Sequence, residues 1–286
     1  MPAWPQAQRV ERGRAIFVNC TETEHNPART FRAGVLILYE YPLNERVRAF
    51  LRLEDLFDRM GFFVERDTSH DHHAALLALF EVLEVCSRGE LKSDILQELE
   101  RQKQVLSGYR DVPGVNLEVL NEVIHEVERA FQALMDSPGK TGQHLRDNEW
   151  LSAIRSRAII PGGTCEFDLP SYHAWLNRPV AQRRNDLLGW LTPLKPMADA
   201  LHLVLKLLRE GGRAADMVAA QGVYQQDAKG KTWQLLRLWV DETRNAVPEI
   251  SANKYVLHIR FTQAGIVARP SVIDADVPFR IALCNF

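Results

Sequence analysis

A chain of 286 residues, 46% apolar and 25% charged, has the composition of an ordinary globular protein, so wholesale disorder is excluded and one large domain or two modest ones are expected. Its 35 Lys and Arg residues against 37 Asp and Glu leave a formal charge of −2, too small a field to hold a nucleic acid or an anionic membrane without a local patch. The longest apolar runs, Val35 to Leu38 and Ala74 to Phe80, fall far short of the ~20 residues that cross a bilayer.

Residues 1–34 mix Pro2, Pro5 and Pro27 with Arg9, Arg12, Arg14, Arg29 and Arg32 and show no useful periodicity, so they read as a loose extension. They contain no apolar segment followed by a small-residue cleavage site, and the expected location is the cytoplasm. Cys20, Cys86, Cys165 and Cys284 form no C-x-x-C pair and read as free thiols. Val35 to Leu38 suggests a short strand, punctuated by Pro42. Asn44 is placed to cap a helix with Glu45 in its first turn and an apolar face of Leu43, Val47, Phe50, Leu51 and Phe57.

Between Ala74 and Cys86 the charges are Glu81 and Glu84 alone, the pattern of a helix buried on most sides, which Gly89 would end. Leu91, Ile95, Leu99 and Leu106 line the next helix. After the turn Val112-Pro113-Gly114-Val115, Asn116 caps a helix in which Leu117, Leu120, Ile124, Val127, Phe131 and Leu134 recur in alternating steps of three and four. Two such helices joined by a short turn should form an antiparallel hairpin, each on the order of 25 Å long. Further helices are expected at Asp147 to Ala158, Pro179 to Trp190 and Met197 to Glu210, ending at Gly211-Gly212.

Beyond that pair the period becomes two. Trp233 to Val240, Lys254 to Phe261 and Phe279 to Leu283 read as strands with no helix between them. The expected class is α+β, with an α-helical domain over 35–212 and an antiparallel β-strand domain over 213–286 that could take in a strand at 164–169.

The cluster His70, Asp71, His72, His73 is the strongest metal-like signal, but nothing in the sequence places a second ligand pair, and a polar first turn capped by Thr68, Ser69 or Asp71 accounts for it. No cofactor is expected. Ile160-Pro161-Gly162-Gly163-Thr164-Cys165 lacks the spacing of a phosphate-binding loop and reads as a tight turn with glycine at positive φ. A small-molecule enzyme would have to use His173, Cys165 and Asp168, which lie near this turn without motif spacing. Nucleic-acid binding through the extension is weakened by its charge, five Arg minus Glu11, Glu22 and Glu24, or +2. Arg88, Arg146, Lys254 and Arg260 stand on predicted elements, where an apolar floor and cationic walls would suit an acidic, partly hydrophobic peptide.

The strings Tyr39-Glu40-Tyr41-Pro42-Leu43-Asn44-Glu45, Arg88-Gly89-Glu90-Leu91, Val112-Pro113-Gly114-Val115 and Ile160-Pro161-Gly162-Gly163 resemble those of the bacterial cell-division family ZapD. Phe167-Asp168-Leu169-Pro170 with His173 and Trp175, then Leu235-Leu236-Arg237-Leu238 and Ile259-Arg260-Phe261, continue the likeness in the same order. It runs from about Val35 to the C-terminus and leaves residues 1–34 outside. The resemblance implies a non-catalytic, symmetric dimer that binds the C-terminal tail of the tubulin-like protein FtsZ and bundles its filaments at midcell. It implies a cationic tail-binding pocket, carried over first to Arg88 and Arg260 and then to Arg146, His173, Arg183 and Lys254. Tyr255, Val256 and Leu257 stand where the likeness leads one to expect a further basic residue.

Overall fold

Helical periodicity from Glu45 to Glu210 and strand alternation from Ala214 onward are realised in two compact units of a computed structural model, which describes residues 35–87, 90–263, 265 and 271–286. One unit is Ala49–Leu205; the other joins 35–48 to Lys206–Phe286. The class is α+β, with antiparallel sheets following the helices.

The helical elements are α1 (Glu45–Val64), α2 (Ser69–Ser87), α3 (Leu91–Ser107), α4 (Leu117–Met135), α5 (Gln143–Arg146), α6 (Glu149–Ala158), α7 (Pro170–Leu176), α8 (Val180–Leu191) and α9 (Lys195–Glu210). The expected core helix is α2, whose Leu76, Leu79, Val82 and Leu83 are all but fully buried, each contributing about 2 kcal/mol. It starts before Ala74 because Thr68 and Asp71 cap it reciprocally: the Asp71 amide donates to Thr68 Oγ1 at 3.0 Å and the Thr68 hydroxyl to Asp71 Oδ2 at 2.6 Å.

The hairpin of α3 and α4 is antiparallel, as three contacts along its length demonstrate. Lys92 Nζ donates to the Ser137 carbonyl at 2.8 Å, Lys103 meets Glu128 at 3.1 Å, and Arg110 reaches Asn121 beside the turn. Asn116 caps α4, its Oδ1 accepting from the amides of Glu118 and Val119.

Thr164 to Leu169 is not a strand. The segment is a run of turns in which the Cys165 amide donates to the Gly162 carbonyl and the Asp168 and Leu169 amides to the Cys165 carbonyl. Gly162 takes φ +73°, and a Cβ on Gly163 would lie 2.4 Å from the Arg157 carbonyl oxygen. The two glycines therefore fold the chain back on the end of α6, and the short helix α7 follows where none was expected.

In the second unit, β1 (Leu36–Pro42), β4 (Leu235–Asp241), β7 (Val277–Cys284) and β2 (Ala214–Ala219) form one sheet in the order β1-β4-β7-β2. A second sheet has the order β3-β6-β5, from β3 (Val223–Asp227), β6 (Val256–Gln263) and β5 (Ala246–Ala252). All pairings are antiparallel. Leu236, Leu238 and Val240 of β4 and Phe279 and Ile281 of β7 share one buried cluster with Leu257, Ile259 and Phe261 of β6, so the sheets stack face to face as a sandwich. Phe279 is the hinge of that packing, with the rings of Phe261 and Tyr224 each 5.2 Å away.

On the other face of the four-stranded sheet, Glu40 of β1 accepts from Arg209 Nη2 at 2.7 Å and from Arg237 Nε at 2.9 Å, with all three side chains at most one-fifth exposed. Two guanidiniums thus share one carboxylate, and Arg237 also stacks 4.9 Å above the Trp239 ring. Replacing Glu40 by Ala removes the carboxylate that the two partly desolvated cations share. Urea unfolding should show a loss of about 2–3 kcal/mol.

Candidate partner-binding surface

The three-stranded sheet buries Leu257, Ile259 and Phe261 and turns His258 and Arg260 of β6 outward. Arg260 lies at the centre of that outer face, opposite Val223 of β3 and Glu249 of β5. Its Nε and Nη2 both reach Glu249 Oε2, at 3.1 and 2.6 Å, and both side chains are about half exposed. An ion pair that exposed contributes only ~0–1 kcal/mol, so a carboxylate brought by a partner can replace Glu249 at little cost. Lys254 stands in the β5–β6 hairpin, where Asn253 Oδ1 accepts from the Tyr255 and Val256 amides, and its ammonium sits 4.8 Å from the centre of the Tyr255 ring. Lys254 and Arg260 therefore belong to one sheet, separated by at most about 20 Å of extended chain.

The remaining positions divide by what holds them. Arg183 of α8 is buried: Nε donates to His72 Nδ1 at 3.0 Å, Nη1 to the carbonyls of Leu176 and Arg178, and Nη2 to that of Asp67 at 2.7 Å. Arg146 donates to the carbonyls of Thr141 at 2.7 Å and Leu83 at 3.2 Å. Both guanidiniums are engaged by backbone oxygens, Arg183 buried and Arg146 half-buried. His173 of α7 is half exposed, its Nδ1 3.9 Å from Glu166 and its Nε2 facing Asn177 at 3.3 Å. Arg88 lies outside the described residues.

Three features escaped the sequence reading. Glu249, the residue that tempers Arg260, was invisible because β5 was not anticipated, although Val247 to Ala252 does alternate around Pro248. Arg184 donates to the carbonyls of Val64, Glu65 and Arg66 and, with Arg183, ties α8 to the connection between α1 and α2. Lys92, Lys140 and His144 border a cleft of ≈ 460 Å³ between the end of α4 and the start of α9. Of the residues of the enzyme alternative, His173 faces Glu166 and Asn177, and Asp168 lies 3.9 Å from Arg157.

The histidine cluster is part of the Arg183 clamp. His72 is fully buried, and its Nε2–H donates to the Arg66 carbonyl at 2.8 Å while Nδ1 accepts from Arg183; His73 Nδ1 meets the Tyr172 hydroxyl at 2.6 Å. Burial chiefly, with the charges of Arg183 and Arg184, holds His72 below the ordinary histidine value of 6.5.

The family model described as ZapD, Cell division protein, matches residues 51–260. The cell division protein ZapD of Janthinobacterium sp. (strain Marseille) is 53% identical over 251 residues, covering 88% of this chain and 100% of that protein. The chain belongs to the ZapD family. Its role is in cell division, and no helix among the described residues is long and apolar enough to cross a membrane.

Within this ZapD-family chain the cations should separate by experiment. Arg183→Lys cannot reach four acceptors in one plane, and urea unfolding should record a loss of about 3 kcal/mol, whereas Arg260→Ala should change stability by less than about 1 kcal/mol. The clamp is also pH-sensitive. Unfolded, His72 titrates near 6.5; folded, its pKa is lower, so its contribution is complete above 6.5 and is lost as pH falls from there through the depressed folded value. The melting temperature of the natural protein should therefore drop more steeply than that of His72→Gln as pH falls below about 6.5.

Proposed function

We propose that this chain is a non-catalytic division factor that binds the C-terminal tail of FtsZ and, as a cytoplasmic homodimer at midcell, cross-links FtsZ filaments to stabilise the division ring. Membership of the ZapD family supports the process, and the exchangeable Arg260–Glu249 pair on an open sheet face is the observation that supports the binding mode. Tail carboxylates displace Glu249 from Arg260, Lys254 adds a second cation at the end of the same sheet, and apolar neighbours such as Val223 receive hydrophobic tail residues. His173, half exposed on α7, and Arg88 are further contributors, while Arg146 and Arg183 serve as positioning residues that hold the loops around them.

Doubling supplies the rest of the mechanism. A twofold assembly presents the same surface twice and bridges two polymers without any bond being made or broken. Linked engagements multiply weak single-site affinity by roughly 10²- to 10⁴-fold.

Co-sedimentation with FtsZ polymer tests this reading through opposite charge changes at one ion pair. Arg260→Glu should weaken binding by about tenfold, and Glu249→Gln, which removes the internal competitor, should strengthen it by a few-fold. Added salt should weaken the natural protein's binding. Equal binding by FtsZ lacking its tail would overturn the proposal.

A further inference from the structure

The helical unit begins on α1 and ends on α9, and an ion pair joins these two helices. His202 of α9 donates from Nε2 to Asp58 Oδ1 of α1 at 3.2 Å, with 19% of the histidine and 33% of the aspartate side chain exposed. Glu54, one turn before Asp58 on α1, is buried and sets a second negative charge against the same ring. Apolar packing surrounds the group: Phe50, Leu53 and Phe57 of α1 and Ala198, Leu201 and Leu205 of α9 are all buried.

His202 Nδ1 is itself buried and has no hydrogen-bond partner among the described residues. A neutral imidazole in this place is costly on two counts. Its Nδ1 is an acceptor that no donor reaches, and two carboxylates face a ring that carries no charge. A proton on Nδ1 relieves both, because the positive ring answers Asp58 and Glu54 and its new N–H can lean on the Ala198 carbonyl, one turn back on α9.

Other charges close to the two helices have partners of their own. Arg59 of α1 is shared by Asp55 and Glu81, and Asp199 of α9 is held by Lys195 at 3.0 Å. From α3, which packs on α9 through Gln102 Nε2 and the Val204 carbonyl, Glu98 is paired with Arg101. Lys206, one turn beyond His202, is exposed. Burial is the largest single influence on the ring and opposes its charge, yet the Asp58 bond and the charges of Glu54 and Asp58 together outweigh it, and His202 is held above the ordinary histidine value of 6.5.

We propose that His202, Asp58 and Glu54 form a proton-operated catch between the first and last helices of the helical unit, closed while the imidazole carries both protons and released when Nδ1 gives its proton to solvent. The neutral ring keeps its bond to Asp58 but no longer balances two carboxylates, and α9 loosens against α1. The sign is opposite to that of His72. Unfolded, His202 titrates near 6.5; folded, it titrates higher, so its contribution is complete below 6.5 and is lost as pH rises through the folded value. The helical unit thus loses the His72 contribution on the acid side and the His202 contribution on the alkaline side.

Two measurements on the full-length protein test the catch. NMR titration of the imidazole nitrogens should place the His202 midpoint above 6.5, and Asp58→Asn should lower that midpoint by about one unit, a tenfold change in proton affinity. Hydrogen exchange, corrected for the intrinsic effect of pH, should show the α9 amides opening several-fold more often at about pH 8.5 than at about pH 6. His202→Gln still offers an N–H to Asp58 but cannot take up charge, and its α9 amides should open equally at both values. A natural protein whose His202 titrates at or below 6.5 would overturn the catch, and this is read without any variant. So would α9 opening that is the same at both pH values in the natural protein, or that rises as much in His202→Gln.

Discussion

A guanidinium whose N–H groups go to backbone carbonyls inside the fold has fewer of them left for a partner's carboxylate than one held by an exposed acid alone, and this contrast separates Arg183, Arg184 and Arg146 from Arg260. Arg183 and Arg184 fasten α8 to the connection between α1 and α2, and Arg146 fastens the start of α5 to α2. Removing any of them exposes unsatisfied carbonyls, at a cost of ~1–3 kcal/mol for each buried group left without a partner. Arg260 is different in kind. Its one strong contact is to an exposed carboxylate, so exchanging that contact for an equivalent one changes little, and low cost of exchange is what a reversible docking site requires.

The same sorting explains why the sandwich can present such a residue at all. Phe279 packs between Phe261 and Tyr224 and fixes the two sheets against each other, which orients the odd residues of β6 inward and commits His258 and Arg260 to the outer face. A shift of register by one residue would drive Arg260 into the apolar core and lift Ile259 and Phe261 into water. The cationic position is therefore as well specified as the core itself, even though the core contributes the stability and Arg260 almost none.

Local patterns were legible in the sequence; long-range partners were not. The alternation of Leu257, Ile259 and Phe261, the seam of Leu120, Ile124, Val127 and Leu134, and the Asn116 cap each depend on residues within a few positions of one another, and each is present, although of the expected seam Leu117 is exposed and Phe131 only half-buried. β5 was obscured by Pro248, β3 by Gln225 and Gln226, and the length of β1 by Glu40, whose charge is tolerable only because Arg209 and Arg237 arrive from far along the chain. Thr164 to Leu169 looked strand-like by composition, yet the Gly163 contact with the Arg157 carbonyl imposes turns. Arg183 and Arg260 are indistinguishable as letters. What separates them is burial and the acceptors within reach: for Arg183 the Asp67 carbonyl and His72, more than a hundred positions away, with the nearby carbonyls of Leu176 and Arg178, and for Arg260 one cross-strand glutamate.

If Arg260 is the docking site proposed above, the weakness of its ion pair bears on how filaments would be joined. If each engagement replaces one exposed ion pair by another, single contacts form and break readily, and the strength of a cross-link comes from how many such surfaces one assembly presents rather than from any one of them. On that reading, removing Glu249 would tighten each engagement of Arg260 and slow its exchange. On the reading proposed above, the carboxylate of Glu249, directly across the strand from Arg260, acts as a brake on affinity that keeps each docking event reversible.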